Sequence, residues 1–151
     1  MVRSFPAARC AATLAETVVV LALIGLLTTL VLPPLKRGYD RIQVRGAARE
    51  VMTSFFLARA AAIAQGRLVA VRVDERGARV AVVAAGDTLM LRDVGATQGV
   101  ALGTTRDSMT YFPDGLGRGG ANLSVILTRG SAAETVLVSR EGRVKLGAKA
   151  R

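Results

Sequence analysis

An uncharged run of 19 residues, Thr17 to Leu35, begins directly after one carboxylate, Glu16. As a helix it would extend roughly 28 Å, close to the thickness of a hydrocarbon core. Gly25 and the pair Pro33-Pro34 interrupt good helix chemistry and mark places where the helix can bend or loosen. A cleaved secretory signal fits poorly, because the run is long for such a segment and no small-x-small cleavage site follows it. An uncleaved single-pass anchor fits on length alone. Basic residues flank the run on both sides, Arg3 and Arg9 before it and Lys36, Arg37, Arg41 and Arg45 after it, so they leave its orientation open. Neither reading needs an acid at the edge.

The remaining composition narrows the classes. A chain of 151 residues suggests one globular domain with an appendage. Hydrophobic residues make up 51% but aromatics only 4%, so the core must be built from Val, Leu, Ile and Ala. There is one cysteine, Cys10, and no histidine, which excludes an intramolecular disulfide, Cys–His pairs, Ser–His–Asp triads and ordinary zinc sites. No apolar segment precedes Cys10, which argues against a lipoprotein attachment. The net charge of +10 rests on 18 Arg and 3 Lys. An anion-binding surface and an Arg- and Ala-rich genome both give that bias, so the charge alone names no partner.

Residues 36–65 read as a helix. Val44, Ala48, Val51, Phe55, Ala58 and Ala62 recur at spacings of three and four and make one apolar stripe. Arg37, Arg41, Arg45 and Arg49 step by four along another side. Gly66 reads as the stop. The apolar run and this helix together are compatible with one continuous helix of about 50 residues, or about 75 Å.

After Gly66 the period changes to that of strands. Leu68–Val73 and Arg79–Val83 flank the turn Asp74-Glu75-Arg76-Gly77 and suggest a hairpin. Further strands are expected at Thr88–Arg92, Gly99–Leu102, Met109–Phe112, Leu123–Thr128, Thr135–Ser139 and Arg143–Leu146. A helix followed by a series of short strands predicts an α+β fold. The stretch Gly115-Leu116-Gly117-Arg118-Gly119-Gly120 satisfies G-x-G-x-x-G formally, but a strand rather than a helix is expected after it, so it reads as a glycine turn.

A lone carboxylate at the edge of a bilayer-length helix is costly unless paired. A cut between Ala11 and Ala12 would create an α-amine four residues before Glu16, on this chain or on a neighbouring copy. Here the chain resembles the type IV pilins and type II secretion pseudopilins. Thr13, Leu14 and Glu16 match their motif, and Pro33 falls where they carry a helix-loosening proline. Ala11, Ala12 and Ala15 stand where the family usually has Gly, Phe or Met, and a larger aliphatic. The tail segments "FFLARAAAIAQGRLVAVRVD", "MTYFPDGLGRGG" and "ETVLVSREGRVKLG" resemble the minor pseudopilins of GspH and FimT type.

The resemblance implies a long N-terminal helix packed on an antiparallel β-sheet domain. It divides the chain into a leader (1–11), a transmembrane and polymerisation helix (12–35), an amphipathic half of that helix (36–66) and a β-rich periplasmic domain (67–151). It implies leader removal by prepilin peptidase after Ala11, N-methylation of Ala12, and Glu16 as the assembly contact. It places the chain in the bacterial inner membrane as a single-pass protein. Its partners would be other pilin or pseudopilin subunits and an inner-membrane assembly platform. The implied role is structural, without catalysis or cofactor, in a secretion pseudopilus or a pilus.

A second reading is nucleic-acid binding. In the FimT branch a Gly-Arg-x-Arg/Lys signature is linked to DNA uptake, and Gly142-Arg143-Val144-Lys145 fits it. Arg143 and Lys145, alternating on a strand, would project to one side with Arg140 nearby. A solvated edge strand protected by its charges gives the same pattern. A membrane-anchored enzyme is the third class, but the chain offers no acid pair, nucleophile–base pair or metal cluster to carry it.

Overall fold

The structure, a computed structural model, describes residues 13–118 and 122–147. The first element is a helix of 52 residues, α1 (Leu14–Gln65). The Thr13 hydroxyl accepts from the Glu16 amide at 3.2 Å and satisfies one of the free N–H groups of the first turn. The helix is unbroken through Pro33 and Pro34. Neither proline can donate to the carbonyl four residues earlier, so the Thr29 and Leu30 carbonyls lose their usual partners there. Gly66 ends the helix at φ 60°, a left-handed conformation that glycine adopts without steric cost.

The described residues up to Lys36 and those from Arg37 onward form two separate compact units. In the first, every Leu, Val and Ile from Leu14 to Leu35 is exposed. The segment is long and apolar enough to cross a membrane.

In the second unit the rest of α1 packs on strands. Val44, Ala48, Val51, Phe55, Ala58 and Ala62 are all fully buried, as their spacing predicts, and Ala47 and Ser54 widen the stripe. Burying each Val or Phe contributes about 1.5–3 kcal/mol. The alanines between them let the helix axis approach the sheet closely.

Among the described residues, nine strands and a short helix follow. They are β1 (Val69–Asp74), β2 (Arg79–Ala84), β3 (Asp87–Asp93), α2 (Val94–Gln98), β4 (Ala101–Thr104), β5 (Ser108–Tyr111), β6 (Gly117–Arg118), β7 (Leu123–Arg129), β8 (Ala132–Val138) and β9 (Val144–Leu146). All pairings are antiparallel. They form two sheets, ordered β3-β2-β1-β5-β6 and β4-β7-β8-β9. Alternate residues of each sheet, such as Val69, Val71 and Val73 in β1 and Leu123, Val125 and Leu127 in β7, enter the core with the helix. The fold is thus α+β, as expected.

Three details depart from the sequence expectation. The helix α2 was not expected, because five residues are too few to show a period. Asp93 starts it, accepting from the Ala96 amide at 2.8 Å, and Gly99 at φ 62° ends it. Gly99 is therefore a helix cap rather than the first residue of a strand. The strand expected at Thr135–Ser139 begins earlier, at Ala132, because Gly130 at φ 55° closes a tight hairpin with β7. Within the glycine stretch, Gly117 and Arg118 pair with Tyr111 and Thr110 as a two-residue strand.

Candidate functional site

The N-terminal stretch carries the residues expected to matter for assembly. Ala11 and Ala12 lie outside the described residues. Glu16 stands in the first turn of α1, where a negative charge complements the helix dipole. Its carboxylate forms no hydrogen bond or ion pair among the described residues, so its charge remains available to an outside cation. Thr13 and Glu16 are spaced as in a capping box, which gives them a local role in starting the helix as well. Pro33 lies on the same exposed stretch.

In the second unit the sequence reading missed a buried ion pair. Asp40, only 5% exposed, accepts from Arg129 Nε at 2.9 Å. Arg129 also donates to the Gln98 carbonyl and stacks on Tyr39, with 5.1 Å from its guanidinium carbon to the ring centroid. The Gln98 side chain donates to Glu50 at 2.5 Å. This network ties α1 to the end of β7 and to α2. A signal for it exists: Asp40 is the only acid between Lys36 and Arg49, and it extends the buried stripe by one turn from Val44. Its partner lies 89 residues away and becomes a neighbour only once the sheet is formed.

A second contact joins the two sheets. The Tyr111 hydroxyl, fully buried, donates to the Gly142 carbonyl at 3.3 Å. Burial pushes its pKa up to about 12. Gly142 stands at φ 82°, and a Cβ there would lie 2.6 Å from Tyr111 Cε1 and 3.3 Å from the Gly117 amide. Gly117 and Gly142 thus lie against each other, with the Tyr111 ring over Gly142. Packing constrains both of these positions, whatever else they do.

Three of the C-terminal basic residues lie close together. Arg140, Arg143 and Lys145 line one groove of about 420 Å³ with Asn122 and Ser139. Lys145 pairs across the sheet with Leu137, and Arg143 lies one residue before β9, where its amide donates to Ser139 Oγ at 3.1 Å. The groove also holds Glu141, which accepts from Arg143 at 3.1 Å. An exposed pair of this kind is worth little energetically, but it occupies one of the guanidiniums that would meet a phosphate.

The row Arg37, Arg41, Arg45 and Arg49 is on the surface of α1. Arg45 of the row reaches the second sheet, to Glu134 at 3.4 Å. On α2, Asp93 is held below the usual carboxylate range, first by the Ala96 amide and then by Arg79, whose Nε lies 2.7 Å away. The same bond raises the Arg79 pKa. Among the described residues no three His, Cys, Asp or Glu side chains gather as metal ligands would.

Three comparisons bear on this arrangement. The family model described as type II transport protein GspH matches residues 47–142. The type IV minor pilin FimU of Pseudomonas aeruginosa is similar in structure, with a TM-score of 0.60 at 17% identity over 72% of this chain and 91% of that one. The minor pseudopilin EpsH of the Vibrio cholerae type 2 secretion system gives a TM-score of 0.58 at 14% identity, covering 70% of this chain and 97% of that one. A second EpsH structure gives 0.59 at 12% identity over 74% and 97%. No curated protein sequence matches the chain.

Proposed function

The chain belongs to the GspH family of type II transport proteins and is a minor pilin or pseudopilin, and from that premise we propose how it is made and used. The family is structural, and the chain's work is mechanical. It is inserted in the inner membrane through Thr17–Leu35, with the domain beyond Lys36 in the periplasm. Prepilin peptidase removes residues 1–11, and the new amine of Ala12 is methylated. An assembly platform then draws the subunit into a short fibre, where the apolar helices of neighbouring copies and partner pilins pack together. The carboxylate of Glu16 meets the amine of an adjacent subunit and sets axial register. Pro33 loosens the helix where the bundle must adapt.

The observation that carries this reading is the pairing of an unburied apolar segment with an unengaged carboxylate at its head. Lipid covers such a segment before assembly, and other helices cover it afterwards. In either setting Glu16 needs a cation, and a cut amine is the nearest source. Mass spectrometry of the mature protein tests the processing step. A methylated N-terminus at Ala12 is expected; an intact Met1, or a start elsewhere, would refute it.

The DNA-uptake reading draws support from the shared groove of Arg140, Arg143 and Lys145 and is weakened by Glu141 within it. Binding there would be sequence-independent and steeply salt-sensitive. A fragment from Lys36 onward that fails to retard DNA at low salt dismisses it.

A further inference from the structure

We propose that the free edge of β3 pairs antiparallel with β3 of a second copy of this chain, and so makes the domain beyond Lys36 a two-fold dimer. The inference concerns that domain alone and does not rest on the reading of Thr17–Leu35 or on fibre assembly.

Among the described residues, four strands stand at sheet edges: β3 and β6 in one sheet, β4 and β9 in the other. β6 has two residues, β9 three and β4 four, whereas β3 has seven. A short edge offers little to pair with, but a long one presents a row of unpaired N–H and C=O groups. β3 carries no proline or lysine, the residues that commonly guard such an edge. Leu89 and Leu91 are 40% and 56% exposed on it.

Charge decides what pairs with it. Of the three charged side chains of β3, Asp93 is engaged by Arg79. Asp87 and Arg92 form no side-chain hydrogen bond or ion pair among the described residues. They stand near opposite ends of the strand and are opposite in sign, so the edge is complementary to itself. When Asp87 is set against Arg92 of the second copy, symmetry makes the match twice.

The faces agree in that register. Asp87 and Arg92 pair with Ala84 and Val80, both buried, and so stand on the core side of the sheet. Thr88 and Leu91 pair with Val83 and Ala81 on the other side, and they oppose each other across the two-fold. Leu89 is the extra residue of a bulge against β2. A bulge often guards an edge by twisting it. Here the two bulges oppose one another, residues 89 and 90 against 90 and 89, and the ladder stays in step. A shift of one residue, with Met90 facing itself, sets Asp87 against Asp93 and Thr88 against Arg92 from the opposite face. Pairing consumes the one long edge of both copies, so assembly closes at two.

The test uses the full chain with Cys10→Ser, which removes its one cysteine. Two differently tagged forms, Thr88→Cys and Leu91→Cys, are co-expressed, extracted into neutral detergent and oxidised with copper phenanthroline. The register puts these two positions opposite each other, about 4.5–5.5 Å apart at Cα and within disulfide reach. Like positions on the two copies are three residues out of register, about 10 Å apart and beyond that reach. Mixed disulfides should exceed those between two copies of one form by at least about tenfold. Adding Asp87→Arg to both forms should cut the mixed yield about fivefold, because two matched cross-strand pairs become like-charged. Asp87→Arg/Arg92→Asp should restore it, which shows that charge match and not folding was lost.

Absence of the mixed disulfide overturns the proposal. Equal yields of mixed and like disulfides also overturn it, because they report collision between copies held together elsewhere. So does a mixed yield indifferent to Asp87→Arg, or one that the double exchange fails to restore. Cross-linking to a different protein in place of this chain would assign the edge to another partner's strand and overturn the dimer.

Discussion

Arg129, the last residue of β7, donates to the buried carboxylate of Asp40 on α1 at 2.9 Å, joining residues 89 apart in the chain. Asp40 is 5% exposed, and the Arg129 side chain is 28% exposed. Deleting one member leaves the other charged and poorly solvated. Arg129→Ala is expected to destabilise the domain by about 2–3 kcal/mol, less than for a fully buried pair because Arg129 retains some water. Urea unfolding of a fragment from Lys36 onward measures this. In the same assay Arg45→Ala, which breaks an exposed pair with Glu134, should cost under about 1 kcal/mol. Equal costs would mean the Asp40 pair contributes no more than a surface contact.

Two glycine-to-alanine changes should move stability in opposite directions. At Gly142 the backbone is left-handed and an added Cβ would meet Tyr111 at 2.6 Å. Gly142→Ala is expected to cost about 2–4 kcal/mol from backbone strain and overpacking together. Gly46 lies within α1 with nothing within 4 Å of an added Cβ. Gly46→Ala should stabilise the domain by about 0.5–1 kcal/mol. Thermal melts of both variants check the pair of signs.

The buried Tyr111 predicts an alkaline limb. Its folded pKa is raised to about 12 from 10.0, so folding favours the neutral phenol. Between those two values the folded chain holds a proton that the unfolded chain has released, and stability falls as pH rises. Tyr111→Phe should flatten the loss above pH 10.0, as read by denaturant midpoints over an alkaline series. An unchanged slope would show that other groups dominate there.

Asp93 predicts a change at the acid end. Its folded pKa is lowered, so its contribution is present above the unfolded value of 3.8 and is lost as pH falls through the lower folded value. Asp93→Asn keeps an N-cap acceptor but cannot titrate. The variant should be less sensitive to acid than the wild type below pH 3.8, measured by thermal midpoint against pH.

Much of this was legible in the sequence because it is periodic. The stripe Val44, Ala48, Val51, Phe55, Ala58 and Ala62 reports its own burial through spacing, and Gly66 reports the helix end through its conformational freedom. What was hidden depends on neighbours distant in the chain. Nothing local to Asp40 names its partner Arg129, which the folded sheet sets beside it. Gly117 was read within a glycine turn and Gly142 within a basic signature, yet their requirement is mutual, because a Cβ on either would lie 3.3 Å from the other's backbone. The helix α2 was hidden for a different reason: it is shorter than two turns, and its signal is the cap pair Asp93 and Gly99 rather than any pattern between them. Of the candidate site, Arg143 and Lys145 stood out by strand alternation, but Arg143 lies just before β9, and the acid in the groove became a constraint only in three dimensions.

In the proposed function, Glu16 acts in assembly rather than in anchoring. Replacing it removes a charge from the helix head without shortening the apolar run, so membrane insertion should be retained. The direct measurement is the fraction of Glu16→Ala protein recovered with its partner pilins in sheared fibres, against the fraction in the membrane. Normal membrane levels are expected, with a loss of at least about tenfold in the fibre fraction, the effect of about 1.4 kcal/mol per subunit contact. Incorporation at the wild-type level would contradict it.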